Sequence, residues 1–298
     1  MIPFGRAGSL PALFAGAATE TMRIAVLGSG SRGNAVLVEC SGRRILIDAG
    51  FSCREIERRL ERLGVRPDTL EAVVLTHEHG DHVRGADRLA RRHGLTLWAT
   101  AGTFDGWRGL SDQARRATRV MVSGRPVEVA GFSVEPFAVP HDAAEPVGLV
   151  VEAPDGCRMG LAGDFGSRSR LAWARLAELD VLVLETNHDL TMLRDGPYPW
   201  VLKQRVAGRH GHLSNRDAAD GLPELLCDRL RWVVLYHLSQ TNNLPALAAE
   251  EVGEVLARER SRARVALTEQ DGVSDWISVE PVGPAAPRAG LQLGLEWT

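Results

Sequence analysis

Lysine is almost absent from this 298-residue chain: Lys203 stands alone among 35 basic residues, the rest being arginine. So extreme a bias reads first as a coding preference and only secondarily as an adaptation to phosphate. Long apolar runs are missing too. None approaches the roughly 18 to 20 residues of a membrane helix, which argues against a transmembrane role. Cys40, Cys53, Cys157 and Cys227 are scattered without a C-x-x-C pair, which argues against a zinc knuckle or a redox motif and suits reduced thiols in the cytoplasm. A formal net charge of -3 excludes coating nucleic acid by overall charge, but leaves room for a local basic groove.

What is there is a globular composition, 44% hydrophobic, long enough for a sizeable core. Short strand-like runs recur: IAVL at 24–27, AVLVE at 35–39, RILID at 44–48 and AVVLT at 72–76, then RMGLAGD at 158–164, DVLVLE at 180–185, WVVLYH at 232–237 and RVAL at 264–267. Helices are expected between them. One begins at Ser52, where Ser52 and Glu55 form a capping box, Ile56, Leu60 and Leu63 share a face, and Gly64 ends it. A second is expected from Val83 to His93, stopped by Gly94, and a third after Asn243 with Leu247, Val252, Val255 and Leu256 as its buried stripe. Strands and helices mixed without a linker imply one α/β domain over 22–280. Residues 1–21, whose LPALFAGAA patch only loosely imitates a signal peptide, are expected to be a disordered extension preceding Met22, and 281–298 an appended tail.

The chemistry concentrates at LTHEHGDHV, 75–83. In an extended segment, side chains two apart point the same way, so His77 and His79 can grip one ion while Asp81 and His82 face a neighbouring one. The bland alternative, histidines that cap a helix or satisfy a loop, sits poorly with so complete a ligand set. Two ions need more donors, and three further residues lie just behind apolar runs: His141 after FAVP, Asp164 after MGLAG and His237 after RWVVLY. Asp48, which ends ILID, is better suited to orienting the histidine loop by hydrogen bonds than to binding metal. The loop GSGSRGN at 28–34 lacks the Lys-Ser/Thr of a phosphate-binding P-loop and reads as a tight turn, with Ser29, Ser31 and Asn34 as possible cleft residues.

In order, LIDAG, THEHGDH, His141, GDFG and His237 resemble the metallo-β-lactamase fold superfamily. The resemblance implies a four-layer αββα sandwich in which His77, His79 and His141 hold a first divalent ion, Asp81, His82 and His237 a second, and Asp164 bridges them. Longer blocks resemble the YycJ/WalJ subfamily of these hydrolases: GSGSRGN, VPHDAAEPVG (139–148), ETNHD (185–189), DGPYPW (195–200), GRHGHLSN (208–215) and HLSQTNN (237–243). Gly163 stands where many relatives have Thr, and Thr186 where Ala is more usual. That resemblance implies a cytoplasmic nuclease acting on DNA. Within ETNHD, Glu185 is a further orienting residue, and His188 is either an orienting or structural residue or a secondary candidate for the scissile phosphate. An RNA-clamping domain of the β-CASP type is disfavoured, because 72 residues lie between Asp164 and His237.

Two ions about 3.5–4 Å apart hold a water, lower its pKa and polarise the group under attack, so the expected reaction is hydrolysis by a metal-bridging hydroxide, with Asp81 and Asp164 at its centre. His-rich ligation suits zinc, and the carboxylates also admit manganese. The segment VLKQRVAGRHGHLSNR, 201–216, carries Lys203, Arg205 and Arg209 with no acidic residue. These three, with Ser214 and Asn215, are the expected substrate contacts, set against the plain alternative of a solvated helix face. His212 is the candidate to touch the scissile phosphate or assist the leaving oxygen. Hydrolysis of a small thioester or lactam on the same ions is the alternative reaction, a non-catalytic module that kept the fold is a third possibility, and an oligomer remains compatible with everything above.

Overall fold

Runs such as AVLVEC at 35–40 and VLVLE at 181–185 are buried at every position, which requires strands covered on both faces. In the computed structural model, which describes residues 21–279, they are inner strands of two seven-stranded sheets. The first sheet contains β1 (Arg23–Gly28), β2 (Ala35–Cys40), β3 (Arg43–Ile47), β4 (Ala72–Val74), β5 (Thr96–Ala99) and β6 (Thr118–Val120). The second contains β7 (Val127–Val129), β8 (Phe132–Ala138), β9 (Val147–Glu152), β10 (Arg158–Ala162), β11 (Val181–Glu185), β12 (Trp232–Tyr236) and β13 (Arg264–Leu267). A last strand, β14 (Ile277–Ser278), returns to pair with β1, so the orders are β14-β1-β2-β3-β4-β5-β6 and β13-β12-β11-β10-β9-β8-β7. Both sheets are antiparallel at one end and parallel at the other, β3 to β6 and β10 to β13 being the parallel stretches.

The side-chain alternation of the strands builds three cores. Ile45 and Ile47 of β3 and Val181 and Val183 of β11 point between the sheets. Leu46 faces outward beneath the helices Cys53–Arg62 and Ala86–His93, while Leu182 and Leu184 face the helices Arg170–Arg175, Asn215–Gly221 and Pro245–Arg258. Helix, sheet, sheet and helix are therefore stacked as the αββα sandwich expected from the motifs. The expected extension, apart from Thr21, and the tail lie outside the described residues.

Local signals behave as their physics requires, with two departures. Ser52 Oγ accepts a hydrogen bond from Glu55 N at 3.3 Å, and Gly64 closes that helix at φ +71°. The helix expected over 83–93 is split into Gly80–Val83 and Ala86–His93. Gly85 is the reason: its amide donates to Ala49 O at 2.8 Å, and a Cβ there would meet Phe51 O at 2.2 Å. In the helix Pro245–Arg258, Ala248 is buried with Val252, Val255 and Leu256, while Leu247 is only half-buried.

Strands β3, β4, β8, β10, β11 and β12 deliver their C-terminal ends to one edge of the sandwich, where Glu185 ends β11 and the loops behind the other strands carry Asp48, His77 to His82, His141, Asp164 and His237. That edge depends on the inter-sheet core, in which Phe132 is fully buried. Phe132→Ala is expected to lower stability by about 3–5 kcal/mol. Urea unfolding checks this, and a loss below about 1 kcal/mol would contradict the packing described.

Candidate metal centre

The histidine loop is clamped by the end of β3. Asp48, in a left-handed conformation at φ +58°, accepts hydrogen bonds from Thr76 N at 2.9 Å and from Thr76 Oγ1 at 2.9 and 3.1 Å. Its Oδ2 also accepts from His82 Nδ1 at 2.8 Å. Backbone bonds complete the clamp: Ala49 N donates to His82 O at 2.7 Å, Asn34 N to Asp81 O at 2.8 Å and Gly50 N to Asn34 O at 3.0 Å. Gly50 has no substitute here, since a Cβ on it would lie 1.6 Å from Asp81 O.

From this edge the donors converge in three overlapping groups. One, Asp164, Glu185, His212 and His237, draws in the Glu185–His212 pair; the other two are His77, His79, His141 and Asp164, and Asp81, His82 and His237. Asp164 Oδ2 links them, lying 3.4 Å from His77 Nε2, 3.4 Å from His141 Nε2 and 3.3 Å from His82 Nε2. His141 Nε2 is 3.3 Å from His79 Nδ1, and Asp81 Oδ2 is 3.4 Å from His237 Nε2 and 3.6 Å from His82 Nε2. Ligand bonds of about 2.0–2.1 Å arranged tetrahedrally put their donor atoms about 3.3–3.4 Å apart. The observed spacings match that edge length. Moreover, His77 Nε2 and Asp164 Oδ1 are buried polar atoms without a hydrogen-bond partner among the described residues, a cost that a cation between the donors would remove. The residues present fit divalent metal.

Each imidazole is set by what its other nitrogen touches. His82 Nδ1 donates to Asp48, and His141 Nδ1 to Gly211 O at 3.0 Å. His77 Nδ1 lies 3.0 Å from Thr76 Oγ1, whose own proton goes to Asp48. His237 Nδ1 lies 3.2 Å from Glu185 Oε1. The backbone of His237 is held at φ +57° by Ser29 Oγ, which accepts from its amide at 2.6 Å, and by Asn187 Nδ2, which donates to its carbonyl at 2.9 Å. Burial, reinforced by the charge of His82, pushes His77 down to about 3. Burial is the largest influence on His82 and His237 and opposes their charge, but the surrounding carboxylates together outweigh it, Asp164 first, with Asp48 and Asp81 at His82 and Asp81 and Glu185 at His237, lifting His82 well above the ordinary range and His237 to about 10. Without ions, protons supply the positive charge that the carboxylates demand, so metal binding must displace them and weakens in acid.

Glu185 is fully buried, yet its carboxyl stays below the usual range: burial pushes it up, and the neighbouring His212 charge and hydrogen bond pull it down. Its Oε2 accepts from Phe165 N at 2.7 Å and Leu213 N at 3.0 Å, while Oε1 faces His212 Nδ1 at 2.7 Å. The His212 ring stacks on His237 with centroids 5.1 Å apart. Burial disfavours its charge, but Glu185 raises its pKa above the ordinary value. His188 joins none of the donor groups; burial pushes it down to about 4, and its Nδ1 has no hydrogen-bond partner among the described residues.

A cleft of about 250 Å³ opens between the donors and a wall formed by Tyr198, Leu202, Arg205 and Val206. Of the expected substrate contacts, Arg205 reaches it, with Nε donating to Asp142 Oδ2 at 2.6 Å. Arg209 lines an adjoining hollow with Ser167 and Arg168. Lys203 is drawn aside, its Nζ donating to Arg194 O at 2.7 Å. Ser214 and Asn215 do not serve the cleft and correct the sequence reading. Ser214 is buried and caps the helix Asn215–Gly221, with Oγ bonded to Asp217, and Asn215 is buried in a reciprocal amide pair with Asn243 at 2.8 and 2.9 Å. From GSGSRGN, Ser31 lines the cleft and Asn34 Nδ2 lies 3.1 Å from His82 Nε2. The sequence reading missed Tyr198, Asp142 and the carbonyl of Gly211. All three sit in the motif blocks VPHDAAEPVG, DGPYPW and GRHGHLSN, but nothing local marks any of them.

Residues 43–237 match the family model described as a Beta-lactamase superfamily domain, and the chain belongs to that superfamily. Its relatives include the Exodeoxyribonuclease WalJ of Streptococcus pneumoniae serotype 2, 34% identical over 231 residues that cover 76% of this chain and 85% of the relative. The Exodeoxyribonuclease YycJ of Bacillus anthracis is 33% identical over 236 residues, 79% of this chain and 89% of the relative. These put the chain in the YycJ/WalJ subfamily that its motifs resemble. The metallo-β-lactamase fold protein YhfI of Bacillus subtilis superposes with a TM-score of 0.66 at 16% identity, covering 85% of this chain and 99% of that one, a likeness of fold. No helix among the described residues is long and apolar enough to cross a membrane.

Because Gly50 lets the β3 loop press against Asp81, Gly50→Ala is expected to weaken divalent-ion affinity by about 10- to 100-fold while the protein still folds. Titration of the apo protein with zinc, beside far-UV circular dichroism, checks it. Unchanged affinity would remove the clamp from the account.

Proposed function

We propose that this protein is a dinuclear metal-dependent phosphodiester hydrolase that degrades DNA from an end, in the cytoplasm. His77, His79 and His141 would hold one divalent ion and Asp81, His82 and His237 a second, with Asp164 common to both donor sets. The observation that carries this reading is the meeting of two donor groups on one carboxylate oxygen, in a chain 34% identical to a protein named as an exodeoxyribonuclease. When bound, zinc or manganese ions there supply Lewis-acid polarisation of a phosphoryl oxygen and an acidified water.

The chain's own residues do the rest. Asp48 and Glu185 hold Nδ1 of His82 and His237, which leaves each Nε2 facing the centre. His212, whose pKa Glu185 raises against the effect of burial, lies on the cleft wall where it can hydrogen-bond a phosphoryl oxygen and pass a proton to the leaving sugar oxygen as the P–O bond breaks. Arg205 on the cleft wall, paired with Asp142 at 2.6 Å, and Arg209 in the adjoining hollow are the arginines offered to flanking phosphates. They favour a polyanion over the small thioester or lactam that the same donors would also hydrolyse.

The test is incubation of metal-reconstituted protein with end-labelled DNA, beside Asp164→Asn and His212→Ala. Wild type is expected to shorten the DNA progressively and Asp164→Asn to be inactive. His212→Ala is expected to lose about 100-fold or more in kcat with normal metal content. Intact turnover in His212→Ala would end its assignment. Metal-loaded wild type that leaves DNA intact but cleaves a thioester or a cephalosporin would overturn the nuclease reading.

A further inference from the structure

A cleft that receives a phosphate gains nothing from spare negative charge, yet one carboxylate in this cleft stands outside every donor group. Asp81 and Asp164 line the cleft as members of those groups, whereas Asp142 lines it and joins none. It follows His141 directly, and its Oδ1 lies 3.5 Å from His141 Nε2. Its Oδ2 accepts from Arg205 Nε at 2.6 Å. Of the residues that line the cleft, Arg205 is the one whose positive charge is permanent. The group best suited to grip a phosphate is therefore already occupied.

Two features make this pair exchangeable. The first is its exposure: the Arg205 side chain is 61% exposed and that of Asp142 32%. Solvated ion pairs of this kind contribute little, because water competes for both partners and holding two side chains in one geometry costs entropy. A phosphodiester offers two unesterified oxygens to the same guanidinium fork, so it can replace the carboxylate at small cost. The second is the backbone beneath Arg205, which is held in place. Val206 O accepts from His212 N at 2.9 Å, and a Cβ on Gly211 would meet Arg205 O and Val206 O at 2.2 Å. Exchange is thus a swing of one side chain on a fixed helix end.

We propose that Asp142 is a positioning residue, an exchangeable counter-ion that holds Arg205 between turnovers and yields it to a phosphate of substrate or product. The inference rests on the nuclease reading above and concerns how tightly that site holds its anions. Because each phosphate must displace Asp142, substrate and product are both bound more loosely than Arg205 alone would bind them. A change shared equally by bound substrate and transition state moves KM and leaves the chemical step alone.

The experiment compares metal-loaded wild type, Asp142→Asn, Arg205→Ala and the double variant, with metal content measured for each. Asparagine keeps the size of Asp142 and an acceptor for Arg205 while removing the charge. KM is followed on end-labelled DNA, and Ki for competitive inhibition by deoxyadenosine monophosphate. Asp142→Asn is expected to lower both constants about 2- to 5-fold with kcat and metal content unchanged, and Arg205→Ala to raise them. In the Arg205→Ala background most of the gain from Asp142→Asn is expected to vanish. The same gain without Arg205 would mean plain repulsion by Asp142 and would overturn the exchange. Unchanged KM and Ki in Asp142→Asn overturn it too, as does a loss of metal, which assigns Asp142 to an ion instead. All three results leave the nuclease reading intact. Metal-loaded wild type that degrades no DNA overturns both.

Discussion

A single buried carboxylate oxygen, Asp164 Oδ2, lies within 3.4 Å of imidazole nitrogens from both sheets, and the site depends on that crowding. Those contacts are too long and too poorly aimed to satisfy every donor, as the orphaned Nε2 of His77 attests. They are the right length for atoms sharing cations. Buried carboxylates demand positive charge, and the histidines around them meet that demand with protons unless metal takes their place.

Holding such a cluster together falls to the strand ends. Parallel strands buried on both faces form a rigid, dry frame, and the loops at their C-terminal ends are the natural place for ligands in sheets of this kind. The frame bears local strain at the two points where it turns into the site, Asp48 and His237, both in left-handed backbone. Each is over-determined. Asp48 is fixed by Thr76 and His82, and His237 by Ser29, Asn187 and Glu185. The first sheet orients its histidines mainly through Asp48, the second through Glu185 and the carbonyl of Gly211.

Much of this was legible in the sequence because the chemistry sits directly behind apolar strands. His77, Asp164 and His237 each follow a run whose continuous hydrophobicity marks a doubly covered strand, His141 follows the short run FAVP, and the structure brings all four together. Strands β5, β6, β7 and β14 escaped notice because two to four residues carry too little pattern, and β8 because Pro136 interrupts its alternation; β9, with the apolar run VGLVVE, was also passed over. The break at Gly85 depends on a contact with a loop 36 residues earlier, which no local rule contains. Ser214 and Asn215 misled for a related reason: polar residues in a basic block look available until the fold commits them to a helix cap and an amide pair.

The small cleft and its arginine-bearing wall give the site its character as much as the donors do, since the same donors suit several hydrolyses. The central claim is nevertheless about the centre itself, that Asp164 joins two ions. The direct measurement is a crystal structure of metal-reconstituted protein with anomalous scattering recorded at the metal edge. The account predicts two peaks about 3.5–4 Å apart with Asp164 reaching both. A single peak held by His77, His79 and His141 alone, or a peak displaced to the Glu185–His212 side, would contradict it.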